Sequence, residues 1–470
     1  MHRQTSHSKR LAAGQDDHAS RMGVMGWLTA ALILLLIGRL AEYLPGIRSL
    51  PLVKVVALLL LAALLFARTA GTDASGLRTP LARNALALLV LAILSMSFSI
   101  WKSQTFAFMK NELPVLILLF VAVSRGASSY YIGRRLLTAF AFCGVTLAVF
   151  AAIGYGGGRA AVESWYDTND LAYVLVTLLP VFVALRRLST GIWRLFWLGQ
   201  SALAAVVIAL TGSRGGMIAL GLVAMWYVFV GAQAAPRKNL ASSIFKSMAL
   251  AMVLAVVSIV AWPYLPAETR ERLQSITDLG SDYNLQAGNH DSRTDIWKRS
   301  LTELAGRPIG FGLNAFPAVD GRTGGIYHTA HNSVVLVTVE LGVIGGILYL
   351  RLYYLAWRQL GRRMRAEPVQ GEGEADSAED AVDQAALSES HARAVIAANL
   401  RVALIGNFVA GFFLSQCYSF LIWGLLAFIS AFTPLSQAPT PVRGARGRAP
   451  ALRPAIARGA RPLAGKSSLQ

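Results

Sequence analysis

Residues 327–346 read YHTAHNSVVLVTVELGVIGG, from Tyr327 to Gly346. Four polar side chains, Tyr327, His328, His331 and Asn332, run directly into an apolar segment. The imidazole of His331 therefore falls where a long hydrophilic loop meets a membrane helix. Bilayer stability asks for no His-Asn pair at such a boundary, and an ionisable group there marks a functional site by default.

Working outward, the rest of the chain supplies the membrane. Of 470 residues, 55% are hydrophobic and 15% charged; soluble domains carry about a quarter charged residues. The remaining charge is basic, +19 formally, with pI near 10.4. Nucleic-acid binding and the positive-inside bias of membrane proteins both produce that balance. Repeated apolar runs of roughly 17–25 residues decide for the membrane, with no nucleic-acid partner. Cys143 and Cys417 both lie in apolar runs, where small buried hydrophobes are expected rather than a disulfide or metal framework.

The expected fold is an all-α polytopic membrane protein of about 12 transmembrane helices, or 11 if the last pair, divided only near Gln416, is one. An N-tail (1–23) precedes nine helices (24–264), the ninth at about 245–264. A long loop (265–331), a tenth helix (332–350), an acidic linker (351–396), two more helices (397–433) and a basic tail (434–470) follow. The linker, with EPVQGEGEADSAEDAVDQ, reads as a mobile segment without periodicity. The fourth helix, at about 112–124, carries Pro114, which favours a kink. Lys and Arg set the orientation. Arg68, Arg125, Arg186, Arg351 and the tail arginines fall on the side of the N-terminus, and few basic residues, such as Arg48, Lys102, Lys110 and Arg159, fall opposite. Both termini are thereby expected in the cytoplasm and the long loop outside it.

On that outward face four pieces collect. Asp167, Asn169 and Asp170 stand at the entrance to the sixth helix. Asp and Asn are favoured as helix caps, but these three with Glu163 exceed the needs of one cap. Thr211 to Gly216 reads TGSRGG and holds Arg214 on a turn too short to let it leave the bundle. A guanidinium beside a helix N-terminus suits phosphate or diphosphate. In the long loop, Asp291–Gly306 (DSRTDIWKRSLTELAG) has the spacing of an amphipathic helix, with Arg293 at its start, and GFGLNAF follows as a Gly-rich turn. The fourth piece is His331, a proton acceptor when neutral. One chemistry fits them. Arg214 and Arg293 hold a lipid-linked diphosphate and stabilise charge as it leaves, and His331 deprotonates an attacking hydroxyl. Fixed cations can do this electrostatic work, so no metal or other cofactor is called for.

These residues resemble the O-antigen ligase and polymerase superfamily of bacterial inner-membrane glycosyltransferases. TGSRGG resembles its Ser-Arg-Gly turn. His331-Asn332, then nine residues, then Gly342-Val343-Ile344-Gly345 is similar to the ligase pattern of His, a small polar residue, nine positions, Gly, two positions, Gly. DSRTDIWKRSL and GFGLNAF resemble the family's periplasmic loop, and NDLAYVLVTLLP its preceding segment, so the resemblance is strongest over about 160–350. It implies a fold of the C-type glycosyltransferase kind, an undecaprenyl-diphosphate-linked glycan as donor, and an active site on the periplasmic face of the inner membrane. It assigns Arg214 to the diphosphate, His331 to acceptor activation and Arg293 to the loop-arginine position. Ser213, Asn332, His328, Asp170 and Asn169 are the further candidate contacts to diphosphate or glycan. The acceptor stays open among lipid A core (a ligase), another glycan repeat (a polymerase) and a protein Ser or Thr, and the ligase-like spacing favours the first. A transporter of lipid-linked sugar would place ionisable residues deep in the helices and show internal symmetry. Here the unusual residues gather on one face, which favours an enzyme.

Overall fold

The computed structural model describes residues 22–43, 46–66, 74–127, 129–162, 166–229, 263, 267–274, 292–365 and 378–432. Outside them lie Glu163, most of the expected ninth helix and of both tails, and residues 366–377 of the expected linker. The described chain is helical, without strands. In order it forms α1 (Val24–Leu36), α2 (Leu52–Phe66), α3 (Pro80–Leu94), α4 (Lys102–Asn111), α5 (Leu113–Gly126), α6 (Tyr130–Ile153) and α7 (Thr168–Arg187). Then come α8 (Gly191–Leu210), α9 (Arg214–Phe229), α10 (Ala267–Gln274), α11 (Arg293–Gly306), α12 (Phe316–Arg322), α13 (Ser333–Arg365), α14 (Ala378–Gly411) and α15 (Phe420–Phe432). Among the described residues, seven stretches are long and apolar enough to cross a membrane, and α1, α2, α9 and α15 are shorter apolar helices. The chain is an all-α, multi-pass membrane protein.

The bundle is organised by α7, whose sequence LAYVLVTLLPVFVAL is apolar on every side. A helix hydrophobic all round belongs in an interior, and its best membrane window is 78% buried, against 22% for α8. It packs on α6, α8, α9 and α14, while α8 leaves Ile192, Leu195 and Val206 facing outward as a lipid-side helix would. One set of polar atoms inside is fully paired. Asn407 of α14 donates to the Tyr173 hydroxyl at 2.9 Å and to Thr177 Oγ1 at 3.2 Å, and accepts from the Tyr353 hydroxyl at 2.8 Å. This network ties α7, α13 and α14 together where no water is at hand, which is how buried polar groups act as interhelical glue.

Helix α13 is broken at Gly342, which takes φ 72°, ψ −178°. That is a region of backbone conformation essentially reserved for glycine. The break leaves backbone groups free, and the turn at 308–312 supplies their partners. Phe311 N–H donates to the Val339 and Glu340 carbonyls, Gly312 N–H donates to the Glu340 carbonyl at 2.8 Å, and Val343 N–H donates to the Pro308 carbonyl at 3.0 Å. Non-helical backbone at a membrane helix is tolerated only where protein satisfies it in this way. The same turn is pinned from the other side. Ile100 N–H donates to the Phe311 carbonyl, Leu313 N–H to Ser95 Oγ, Thr105 Oγ1 to the Leu313 carbonyl, and Arg307 Nη2 to the Phe98 carbonyl.

Several expected boundaries move. The segment 351–396, expected as a linker, is helical over 351–365 and 378–396: α13 runs on to Arg365 and α14 begins at Ala378. The physical reason lies in YYLAWRQL, which keeps a helical apolar spacing; Leu352, Ala356 and Leu360 stay buried. Arg401 of α14 stacks on Trp357 at 3.7 Å and ties the extension of α13 to α14. The fourth helix, expected at about 112–124, spans Lys102–Gly126 with its discontinuity at Glu112, and Pro114 sits in the first turn of α5, where a missing N–H costs nothing. Lys102 and Lys110, expected in loops, are thus on α4.

Candidate active site

The starts of α7, α9 and α13 meet the ends of α8 and α14 at one end of the bundle, and α11 lies against them. Each start has a local reason. Asp167 caps α7, its Oδ1 accepting from the N–H groups of Asn169 and Asp170 at 2.7 Å each. Ser292 caps α11 by accepting from Asp295 N–H at 3.2 Å. Asn332 caps α13, its Oδ1 accepting from Val334 and Val335 N–H at 2.9 and 3.0 Å. Asn332 is buried, so this carboxamide oxygen serves the helix.

The TGSRGG turn is as short as expected: α8 ends at Leu210 and α9 begins at Arg214. Gly212 takes φ 59°, which lets the chain reverse. Thr211 Oγ1 accepts from Ser213 N–H at 3.1 Å, and Ser213 Oγ accepts from Gly216 N–H at 3.3 Å, so the Ser213 side chain closes the turn. A side chain at Gly216 would meet Ala172 Cβ at 2.5 Å, which is how closely α9 starts against α7. Arg159 Nε donates to the Thr211 carbonyl at 2.8 Å and brings another cation to the turn.

Arg293, the first residue of α11, is partly buried and reaches the Phe413 carbonyl at 3.3 Å. Burial lowers its pKa from the usual arginine value, and the neighbouring charge of Arg214 lowers it further. The two guanidinium groups are therefore within electrostatic range of each other, with Asp167 acting on Arg293 in the opposite sense. His331 stands with them. Its backbone is left-handed, φ 46°, and its N–H donates to Ser415 Oγ at 2.9 Å. Burial, then the charges of Arg293 and His328, pushes its imidazole down to about 4, with Asp167 acting weakly in the opposite sense. It is neutral across the physiological range. His328 turns elsewhere. Its N–H donates to Asp320 Oδ2 at 2.9 Å, its Nδ1 lies 3.6 Å from that oxygen, and Arg299 closes on Asp320 at 2.8 Å.

The segment 412–419, between α14 and α15, holds these pieces together and escaped the sequence reading. Ser415 receives the N–H of His331 and the hydroxyl of Thr329 (2.7 Å). Ser333 Oγ donates to the Leu414 carbonyl and accepts from Gln416 N–H. Gln416 Nε2 donates to Asp170 Oδ1 at 2.7 Å, and Phe413 packs against Gly215. One short loop thus touches the elements carrying Asp170, Arg214, Arg293 and His331. The signal for it in the sequence is the polar run SQCYS between two apolar segments. Asn169 contributes its N–H to the Asp167 cap and is only half-buried.

A pair of cations, a neutral imidazole and a carboxylate converge here, a set able to bind an oxyanion and accept a proton. No curated protein matches the chain. Residues 200–350 match the family model described as O-Antigen ligase, and that stretch contains the TGSRGG turn, α11, the 308–312 turn, His331 and the broken helix. Over that stretch the chain is similar to the O-antigen ligase family, the family that its motifs resemble.

Proposed function

We propose that the protein is an O-antigen ligase, transferring a glycan from an undecaprenyl-diphosphate carrier to a hydroxyl of a lipid A core sugar at the periplasmic face of the inner membrane. The observation that carries this reading is the clustering of Arg214, Arg293 and the left-handed His331 around the 412–419 loop. In the reaction, His331 accepts the proton of the acceptor hydroxyl. The freed oxygen attacks the anomeric carbon, and the bond from that carbon to the diphosphate breaks. The leaving diphosphate keeps the electron pair, its charge met by Arg214 and Arg293, so the reaction calls for no metal and EDTA leaves turnover unchanged. The test is reconstitution of the purified protein with the lipid-linked donor and three acceptors offered separately: lipid A core, a second donor repeat and a Ser/Thr peptide. Transfer to the second repeat instead of the core would make the protein a polymerase, the reading with which it shares every residue named above.

The charges around His331 give this mechanism a pH signature. With its pKa at about 4, the free enzyme holds a neutral but weak base, protonated only as pH falls through that value. An anionic diphosphate beside Arg293 offsets the cationic repulsion and raises the basicity of His331 when the donor is in place. The acid limb of kcat/KM for donor, which reports the free enzyme, is therefore expected well below 6.5, and that of kcat, which reports the complex, above it. Coincident limbs at or above 6.5 would remove His331 from the base role.

The periplasmic placement has its own check. Reporter fusions after residues 300 and 375 are expected to report opposite sides of the membrane, with 375 cytoplasmic. A cytoplasmic signal at 300 overturns the placement.

A further inference from the structure

Next to the His331 turn the bundle holds a part-open cavity of about 400 Å³, within the size range of small-ligand sites, roughly 300–1,000 Å³. Thr329 and Ser415, the pair that holds the His331 backbone, form part of its wall. Asp170 and Gln416 line it as a bonded pair, and Arg39, Glu340 and Tyr418 complete the polar lining.

Glu340 is the informative member. It is 1% exposed, and its Oε1 accepts from Phe316 N–H at 3.2 Å. Its Oε2 lies near the Tyr418 hydroxyl, yet among the described residues neither atom makes a hydrogen bond of ordinary geometry. Buried polar atoms without partners are rare and costly, and each calls for an explanation. Both belong to residues lining the cavity, which is also bordered by Asp170 and the exposed Glu112. Carboxyl oxygens, a phenol and a carboxamide are acceptors and donors matched to hydroxyl groups. The guanidinium on the wall, that of Arg39, already lies 3.8 Å from Glu42. A phosphate or a uronic acid placed here would meet three carboxyl groups, those of Glu112, Asp170 and Glu340, against the one guanidinium of Arg39.

We propose that this cavity is a sugar subsite that takes a hydroxyl-rich residue, uncharged or amine-bearing, and excludes acidic sugars. The proposal rests on the glycan-transfer reading above and deepens it, since the shared Ser415 and Thr329 put the sugar beside the base. Sugar hydroxyls bond Glu340 Oε2 and the Tyr418 hydroxyl, and both glycan substrates carry that chemistry.

The test is saturation-transfer NMR on the purified full chain in nanodiscs, with three soluble trisaccharides as probes: one neutral, one with an amino sugar, one with a uronic acid. Saturation is expected for the first two and not for the third. Glu340→Gln and Tyr418→Phe are expected to weaken binding about tenfold, the size of one lost polar contact. If Glu340→Gln fails to fold, Tyr418→Phe, which removes one oxygen, decides. Adding undecaprenyl-diphosphate glycan displaces the probe if the donor's sugar occupies the cavity and leaves it bound if the acceptor's does. Equal saturation by the uronic acid probe, or unchanged affinity in Tyr418→Phe, overturns the proposal. Sugar binding by a wild-type protein that transfers no glycan would overturn the proposed reaction and leave the subsite standing.

Discussion

His331→Asn is expected to fold as the wild type does and to transfer glycan at least about 100-fold more slowly, the lower end of what a positioned general base contributes. Asparagine is the informative replacement. The backbone here is left-handed, φ 46°, a conformation that asparagine adopts more readily than most residues, and the N–H that meets Ser415 is kept. What is lost is the ring nitrogen that takes the proton in the proposed reaction. Arg214→Ala belongs to the same experiment and is expected to cost as much, because in the proposed reaction it removes a fixed charge from the leaving diphosphate. Arg214→Lys is expected to fail too. It restores the charge but not the planar fork that binds two phosphate oxygens at once. The measurement is transfer by purified variants at matched protein level and thermal stability. Wild-type rates in His331→Asn would transfer the base role to another group.

The second large effect concerns folding. Gly342→Val is expected to abolish recoverable folded protein, and Gly310→Val to do the same. At Gly342 the conformation alone costs a non-glycine residue about 1–3 kcal/mol. An added Cβ would also run into the Pro308 and Ile309 backbone, which cannot move aside as a side chain tip can. Gly310, at φ 89°, would meet the Gly342 and Glu340 backbone in return. Overpacking of this kind adds about 1–3 kcal/mol, and the sum is a large share of a stability of about 5–15 kcal/mol. Gly221→Ala is the control. It lies inside α9 with nothing within 4 Å of an added Cβ, and it is expected to be neutral. Size-exclusion profiles and thermal unfolding of the detergent-solubilised variants report the difference. A monodisperse Gly342→Val protein of normal stability would show the break to be dispensable.

The two predictions draw on different depths of the sequence. His331 and Arg214 stand out as candidates in the sequence because each sits at a sharp change from polar to apolar, and a charge at such an edge has few structural reasons to be there. Arg293 was legible from the helical spacing of Ile296, Trp297, Leu301 and Leu304 behind it. For Asn332, beside His331, the pattern shows a candidate contact, and the structure adds that its carboxamide oxygen accepts from two backbone N–H groups. The break at Gly342 was hidden because GVIGG in an apolar run is compatible with continuous helix. Only the approach of residues 308–312 requires the kink, and that is a tertiary contact. The role of Ser415 and Gln416 was hidden for the same reason. Their partners, His331 and Asp170, are 84 and 246 positions away along the chain. The extension of α13 past 350 is hidden because the apolar run ends there while the helical spacing of YYLAWRQL continues.

The helix break also bears on how such a protein can be re-engineered. Since the 308–312 turn supplies the missing hydrogen bonds of α13, the loop and the helix are two halves of one folding module. A chimera that imports a relative's loop to change specificity, but keeps the resident α13, joins a plug to a socket cut for another. The exchangeable cassette therefore runs from Arg307 through Gly346. It has to travel with Ser95, Phe98 and Thr105, the residues that grip the turn from behind.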